Sequence, residues 1–244
     1  MKCFAVLLIS AIVVAGAPGW AQEAGKGMDE MKKKENGRVK LPEPKYDGSM
    51  SVEKAIKNRR SVREYTGEAL TLAEAGQFLW AAYGVTEPVT NGPAFLRGGL
   101  RAAPSAGARY PLEVYLIAGK VTGLAAGVYR YVSEEHALVR VQEGDLRGAL
   151  CEAAYGQEWI REAPASLAIT AIFERTTKKY GQRGSERYVW MDAGYLGENV
   201  YLQAQALGFG CCVAGAFSDD EVKKAMKLPE NEAPVCLLAV GKKK

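Results

Sequence analysis

The chain has 244 residues, 48% of them hydrophobic and 25% charged, the balance of an ordinary globular protein with one sizeable core. Its 32 basic and 28 acidic residues leave a net charge of +4, and the cations are scattered apart from residues 59–63 and the three terminal lysines. That distribution argues against a nucleic-acid groove or a polybasic membrane patch, and a single histidine with no Cys-x-x-Cys excludes a Cys/His zinc site.

Met1-Lys2, the apolar run 4–17 and Gly19-Trp20-Ala21 form the three parts of a secretory signal peptide, so cleavage is expected after Ala21 and export to the periplasm follows. The apolar run is shorter than the roughly 20 residues of a comfortable membrane span, and no stable span is expected after the cut. Residues 22–50 are rich in Lys, Glu, Gly and Pro and read as a flexible leader. A single domain is then expected over 51–244.

Val52, Ala55 and Ile56 fall at helical spacing, so a short helix over 52–59 should deliver Arg59, Arg60, Ser61 and Arg63 from its end. Guanidinium is planar, always charged and able to bond two oxygens of one phosphate; the alternative is a solvated basic helix end. Thr71-Leu-Ala-Glu74 is a capping box that opens a helix over 71–83. Residues 84–99, with Pro88 and Asn91-Gly92-Pro93, read as a mobile surface loop.

A second loop, Pro104-Ser105-Ala106-Gly107-Ala108-Arg109-Tyr110-Pro111, runs into an alternating strand over 112–118. Its small residues allow backbone to approach a flat ligand, although a Pro/Gly turn before a strand is the simpler reading. Residues 127–132 and 137–141 form a hairpin whose turn places His136 in solvent. Helical patterns follow over 145–154 and 157–161.

Residues 166–173 are an almost unbroken apolar run, the mark of a central strand covered on both faces. A polar stretch, 174–187, leaves its end. The longest helical pattern spans 188–207 and contains Gly194 and Gly197, each costing about 1 kcal/mol relative to Ala. A second helix or a subunit partner close to that face would account for them. A strand over 211–217, a helix opened by Ser218-Asp-Asp-Glu221 and a last strand over 234–241 complete an α+β pattern. The four cysteines after the signal, Cys151, Cys211, Cys212 and Cys236, read as small buried hydrophobes, although an even count in an exported chain also invites a disulfide.

No Rossmann fingerprint, P-loop or Gly-x-Ser-x-Gly elbow occurs, which removes the usual supports of nucleotide-triphosphatase and hydrolase readings. The remaining combination is Arg59-Arg60-Ser61-Val62-Arg63, the loop 104–111, Lys179-Tyr180-Gly181 and Ala206-Leu-Gly-Phe-Gly210 before Val213-Ala-Gly-Ala-Phe217. In that order these segments resemble the nitroreductase superfamily of FMN enzymes, and most closely its SagB/ThcOx-type dehydrogenase branch, over about 51–244.

The resemblance implies a mainly antiparallel central sheet flanked by helices, a homodimer with the flavin at the interface, and hydride transfer between a small organic substrate and FMN. It assigns Arg59, Arg60, Ser61 and Arg63 to the FMN phosphate and ribityl chain, with Lys242 or, by preference, Lys243 as a second phosphate cation. It lays Pro104, Ser105, Ala106 and Gly107 along the ring, and Gly215 and Ala216 near its N5. Ala108 stands where many members have Asn. Lys179 and Tyr180 match a pair that assists proton removal in azoline-oxidising members; a lysine desolvated by its site would suit that role. Nitroreductases draw electrons from NAD(P)H, whereas the azoline-oxidising reading takes them from the substrate. From a different class, the chain could be an exported flavin-binding protein without turnover.

Overall fold

The computed structural model describes residues 38–244; the signal-peptide reading and the leader up to residue 37 lie outside them. The strands are β1 (Arg38–Lys40), β2 (Val85–Pro88), β3 (Gly99–Arg101), β4 (Leu112–Ala118), β5 (Gly127–Val132), β6 (Ala137–Glu143), β7 (Ala165–Ala171), β8 (Phe209–Ala214) and β9 (Ala233–Lys242). The helices are α1 (Val52–Asn58), α2 (Leu72–Tyr83), α3 (Arg147–Ala153), α4 (Glu158–Glu162), α5 (Glu174–Tyr180), α6 (Val189–Ala206) and α7 (Asp219–Met226). Among the described residues, no helix is long and apolar enough to cross a membrane.

Seven strands form one sheet in the order β1-β6-β5-β4-β7-β9-β8, with every neighbouring pair antiparallel. Its middle strands are apolar on both faces because both are covered. Leu112, Val114, Leu116, Leu167, Ile169, Leu238 and Val240 pack with α2 and α6 in one core. The alternate residues Tyr115, Ile117, Ala168, Leu237 and Ala239 pack with α3, α4 and α7 in a second. Period-two alternation sends successive side chains to opposite faces, so an unbroken apolar run feeds two cores. Each buried Leu, Ile or Val contributes about 1.5–3 kcal/mol.

Local chemistry fixes the helix starts. Thr71 accepts from the Glu74 amide while Glu74 accepts from the Thr71 amide, completing the capping box of α2. Ser51 and Ser218 cap α1 and α7 through the amides of Lys54 and Glu221. The 174–187 stretch, polar in sequence, is ordered as α5 followed by a π turn over Gly184–Tyr188 that leads into α6.

Three expectations are corrected. The segment 84–99 contains a ribbon, β2 paired with β3, rather than a mobile loop. Gly99 sits there at φ 152°, where a Cβ would lie 2.2 Å from the Glu87 carbonyl oxygen, so backbone pairing this close tolerates no side chain.

The end of the leader is packed: β1 joins the sheet edge beside β6, and Leu41 is buried. Its Lys45 backbone exchanges two hydrogen bonds with the Gln77 amide group, at 2.8 and 3.0 Å.

His136, expected in solvent, is buried under that leader. Its Nε2 lies 3.0 Å from the Pro42 carbonyl oxygen and its Nδ1 2.8 Å from the Tyr131 hydroxyl. A carbonyl only accepts, so Nε2 carries the proton and Nδ1 accepts from Tyr131.

Gly194 and Gly197 give a different answer from the one sought inside the chain. A Cβ at Gly194 would meet nothing within 4 Å, and one at Gly197 only Leu238 at 3.9 Å. Trp190, Met191 and Tyr195 around Gly194 are exposed, as are Val52 and Ile56 of α1. Among the described residues Cys151, Cys211, Cys212 and Cys236 are free thiols, three buried and Cys236 nearly so, and burial pushes the Cys236 thiol up to about 12.

Burial is the main cause holding the His136 imidazole below its ordinary 6.5, only partly offset by the bond to Pro42. The folded chain therefore takes up that proton less readily than the unfolded chain. Its stabilisation is fully present above about 6.5 and is lost as pH falls through the depressed folded value. His136→Ala is expected to cost about 1–3 kcal/mol near neutral pH from the lost hydrogen bonds. Denaturant titrations at pH 7.5 and 5 should show the gap between wild type and variant narrowing at the lower pH, with amide exchange of Val39 and Leu41 accelerated in the variant.

Candidate functional site

Helix α6 is the element along which the sequence-selected residues are arranged. At its start Asp192 is buried, on the same stripe as Val189, Ala193 and Leu196. Its carboxylate accepts from the Ser105 hydroxyl at 2.6 Å and from the Ala106 amide at 3.2 Å, and Ser105 Oγ in turn accepts from the Tyr110 amide at 2.9 Å. Burial raises the Asp192 carboxyl above its usual range, and these two donors oppose the rise. The loop 104–110 is thereby held in an unusual course, with Gly107 at φ 59°, Ala108 at 54° and Tyr110 at 47°.

Lys179 and Tyr180, at the end of α5, reach this loop. A Cβ built on Gly107 would lie 2.3 Å from Tyr180 Oη and 2.7 Å from Lys179 Nζ. Segments more than seventy positions apart thus meet at a residue without a side chain. The Lys179 ammonium lies 5.0 Å from the centre of the Tyr180 ring, which packs edge-on against Tyr188. Lys179 is exposed and Tyr180 half-buried, so the described residues by themselves do not supply the desolvation that the sequence argument assigned to the lysine. The far end of α5 is anchored by Arg175, which donates to the Tyr110 carbonyl at 3.3 Å and pairs with Glu113 at 2.6 Å.

Nine residues beyond Asp192, about 14 Å along the helix at about 1.5 Å per residue, Tyr201 organises the second group. Its hydroxyl lies 3.2 Å from Ser61 Oγ and accepts from the Val213 amide at 3.0 Å. The Arg59 guanidinium lies 5.3 Å from the centre of its ring and 4.0 Å from Glu198. Lys243 Nζ donates to Gln205 at 3.0 Å, one turn further on the same face. An isolated parallel bridge between Ser61 and Cys211 and an antiparallel one between Tyr65 and Lys243 weld the basic segment to β8 and the chain end.

Arg59, Ser61 and Lys243 are therefore brought together. Arg60 is not, since its guanidinium folds back onto the carbonyls of Lys57 and Arg59 at 3.0 and 2.7 Å. Arg63 lies 6.0 Å from the Trp159 ring centre, on the side of α4. Lys242 pairs with Glu68 at 2.7 Å. Gly215 and Ala216 are exposed past the end of β8, with the Ala216 carbonyl held by Gln157 Nε2 at 2.8 Å and open space where a Gly215 Cβ would be.

Asp192 and Tyr201 were missed in the sequence reading. Asp192 carries a signal, since a carboxylate on an otherwise apolar helix stripe must find a buried donor. Tyr201 carries none, because its role is set by partners from 61 and 213.

The sequence pattern of the Nitroreductase family matches residues 56–242. A protein of Methanocaldococcus jannaschii that carries the nitroreductase name provisionally is 43% identical over 194 residues, 80% of this chain and 92% of its own length. The microcin B17-processing protein McbC of Escherichia coli is 30% identical over 147 residues, 58% of this chain and 54% of its own. A crystal structure from Ralstonia eutropha, likewise named provisionally as a nitroreductase, superposes with a TM-score of 0.71 at 29% identity, covering 86% of this chain and 90% of that one. Proteins of this kind are oxidoreductases that typically bind a flavin, act on small molecules and are generally dimeric. The chain belongs to the nitroreductase family, in the branch of its SagB-type members.

Proposed function

We propose that this protein is an FMN-dependent oxidoreductase of the SagB-dehydrogenase type that moves hydride between a small organic substrate and the flavin. The observation that carries the reading is the meeting of Lys179 Nζ and Tyr180 Oη at Gly107, a glycine of the loop that would lie along the flavin ring.

The donor set fits the cofactor. Arg59, Ser61 and Lys243, gathered along Glu198, Tyr201 and Gln205 of α6, offer a guanidinium, a hydroxyl and an ammonium suited to a phosphate. Arg60 and Arg63 would complete the set by turning from their present contacts. The small residues Pro104 to Gly107 and the open backbone at Gly215 and Ala216 permit close approach of a flat ring. Bound FMN supplies a two-electron acceptor or donor of hydride. Asp192 fixes the loop through Ser105 and Ala106, and Lys179 Nζ or Tyr180 Oη would take or return a proton beside it.

The exposed face of α6 at Trp190, Met191, Gly194 and Tyr195 and the exposed Val52 and Ile56 of α1 suit burial against a second copy. That copy would also exclude water from Lys179. An export signal at residues 1–21 belongs to this reading, with the physiological donor then a periplasmic substrate rather than NAD(P)H.

Purified full-length protein reconstituted with FMN should be yellow, and a colourless protein that takes up no flavin would overturn the reading. Arg59→Gln is expected to weaken FMN binding about tenfold or more, from about 1.5–3 kcal/mol for a charged hydrogen bond, while leaving riboflavin binding unchanged.

The proton-handling pair has its own test. Lys179→Ala and Gly107→Ala should retain FMN, yet lower the rate of anaerobic flavin reduction by substrate about 10–100-fold, since small misplacements are costly. Fast NADH oxidation unaltered by Lys179→Ala would remove the pair from the chemistry.

A further inference from the structure

A cavity of about 280 Å³ opens where β4 begins and β5 ends, next to the turn 133–136, and lies among arginines. Arg97, Arg130 and Arg175 line it beside Glu113 and Glu134. Beneath them is Arg101, whose side chain is wholly buried. The ion pairs are Arg97–Glu113 at 2.5 Å, Arg175–Glu113 at 2.6 Å and Arg101–Glu134 at 3.2 Å. Three guanidinium groups therefore share two carboxylates. Arg130 has no carboxylate within 4 Å among the described residues, and Arg38 at the rim is matched by Glu135.

Burial sharpens the imbalance. The Nε atoms of Arg97 and Arg101 are buried and without a hydrogen-bond partner. Arg101 stacks between the rings of Tyr83 and Tyr110, with its guanidinium carbon 4.8 and 5.0 Å from their centres, and its other nitrogens bond the Tyr83 and Arg97 carbonyls and the Ser133 hydroxyl. Burial first, and then the charge of Arg97, lower its affinity for its proton. Glu113 stays ionised against its own burial because Arg97 and Arg175 flank it. Buried charge without a counter-ion is costly and is ordinarily matched by an opposite charge or released to water. Here Arg101 is wholly buried and Arg97 and Arg175 partly so, and the positive excess is one within the ion-paired set and two with Arg130.

We propose that this cavity binds a small oxyanion carrying two negative charges, of the phosphate or dicarboxylate kind. Planar guanidinium groups at Arg97 and Arg130 offer paired donors to adjacent oxygens, and Arg175 and Arg101 supply the surrounding positive field. The site is separate from the segment at Arg59, being built on β4, β5 and the ribbon β2–β3. It also touches α5: Arg175 lies one helical turn before Lys179 on that helix, so an anion drawing on Arg175 alters how firmly α5 is held to Glu113.

The test uses full-length protein saturated with FMN, so that any phosphate site at Arg59 is filled. Equilibrium dialysis and calorimetry are run with inorganic phosphate and with succinate, each against chloride at equal ionic strength. Saturable one-to-one binding of either probe is expected, with Kd raised tenfold or more in Arg97→Gln and in Arg130→Gln, and unchanged in Arg59→Gln. Arg130 is exposed, so its variant keeps the test valid if Arg97→Gln does not fold. Whichever probe binds more tightly names the source of the oxyanion. Binding no stronger than chloride, or affinity lost in Arg59→Gln but kept in Arg130→Gln, would overturn the proposal. If the protein takes up no FMN, the same variants in the flavin-free protein still decide this site, independently of the redox reading.

Discussion

Burial of both faces of β4, β7 and β9 governs the arrangement of everything else. Because each of these strands places apolar side chains alternately into two cores, helices must cover both sides, and α6 is locked against one side by Val189, Leu196 and Val200. A helix fixed in this way becomes a rigid rail. Polar residues on its flank then have set positions, and the segments they hold inherit that precision. Asp192 fixes the loop 104–110 at one end, and Tyr201 fixes the Ser61 and Val213 segments about 14 Å away.

Backbone conformation and polar contact reinforce each other in the loop. Left-handed φ values at Ala108 and Tyr110 cost on the order of 1 kcal/mol each. They persist because the Asp192 carboxylate and Ser105 hydroxyl satisfy the amides that such a turn exposes. The result is a surface without side chains at Gly107, against which Lys179 and Tyr180 come to rest. Charge acts at the opposite end of α5, where Glu113 gathers Arg97 and Arg175 and so ties the helix to the start of β4. The proposed proton-handling pair at one end of the helix and the ion pairing at the other are thus mechanically joined.

The apolar residues left in solvent follow a pattern as well. Val52 and Ile56 on α1 and Trp190, Met191 and Tyr195 on α6 lie on elements whose opposite faces are already packed. Isolated exposed hydrophobes are ordinary, and the proposed second copy would cover these, which lie on helices that carry or adjoin the proposed cofactor residues.

Much of this was legible from residue order alone. Capping boxes and apolar period marked the helices, and the unbroken run at 166–173 identified a doubly covered strand, because propensity and patterning act within a few residues. The kinship of the chain could likewise be read from four short segments in order. Contacts between distant segments were not legible. His136 looked exposed because its neighbours are turn formers, yet the leader's Pro42 covers it; residues 84–99 looked like a loop because the pairing of β2 with β3 depends on register rather than composition. Likewise, the glycines of α6 implied a neighbour, and tertiary packing decided that it is not another helix among the described residues. Sequence by itself determined which chemical groups were present and which local elements carried them. Only the tertiary structure decided that Asp192 would hold Ser105, that Gly107 would meet Lys179 and Tyr180, and that arginines from three segments would crowd one cavity, because these distances are set by long-range burial and not by any neighbour along the chain.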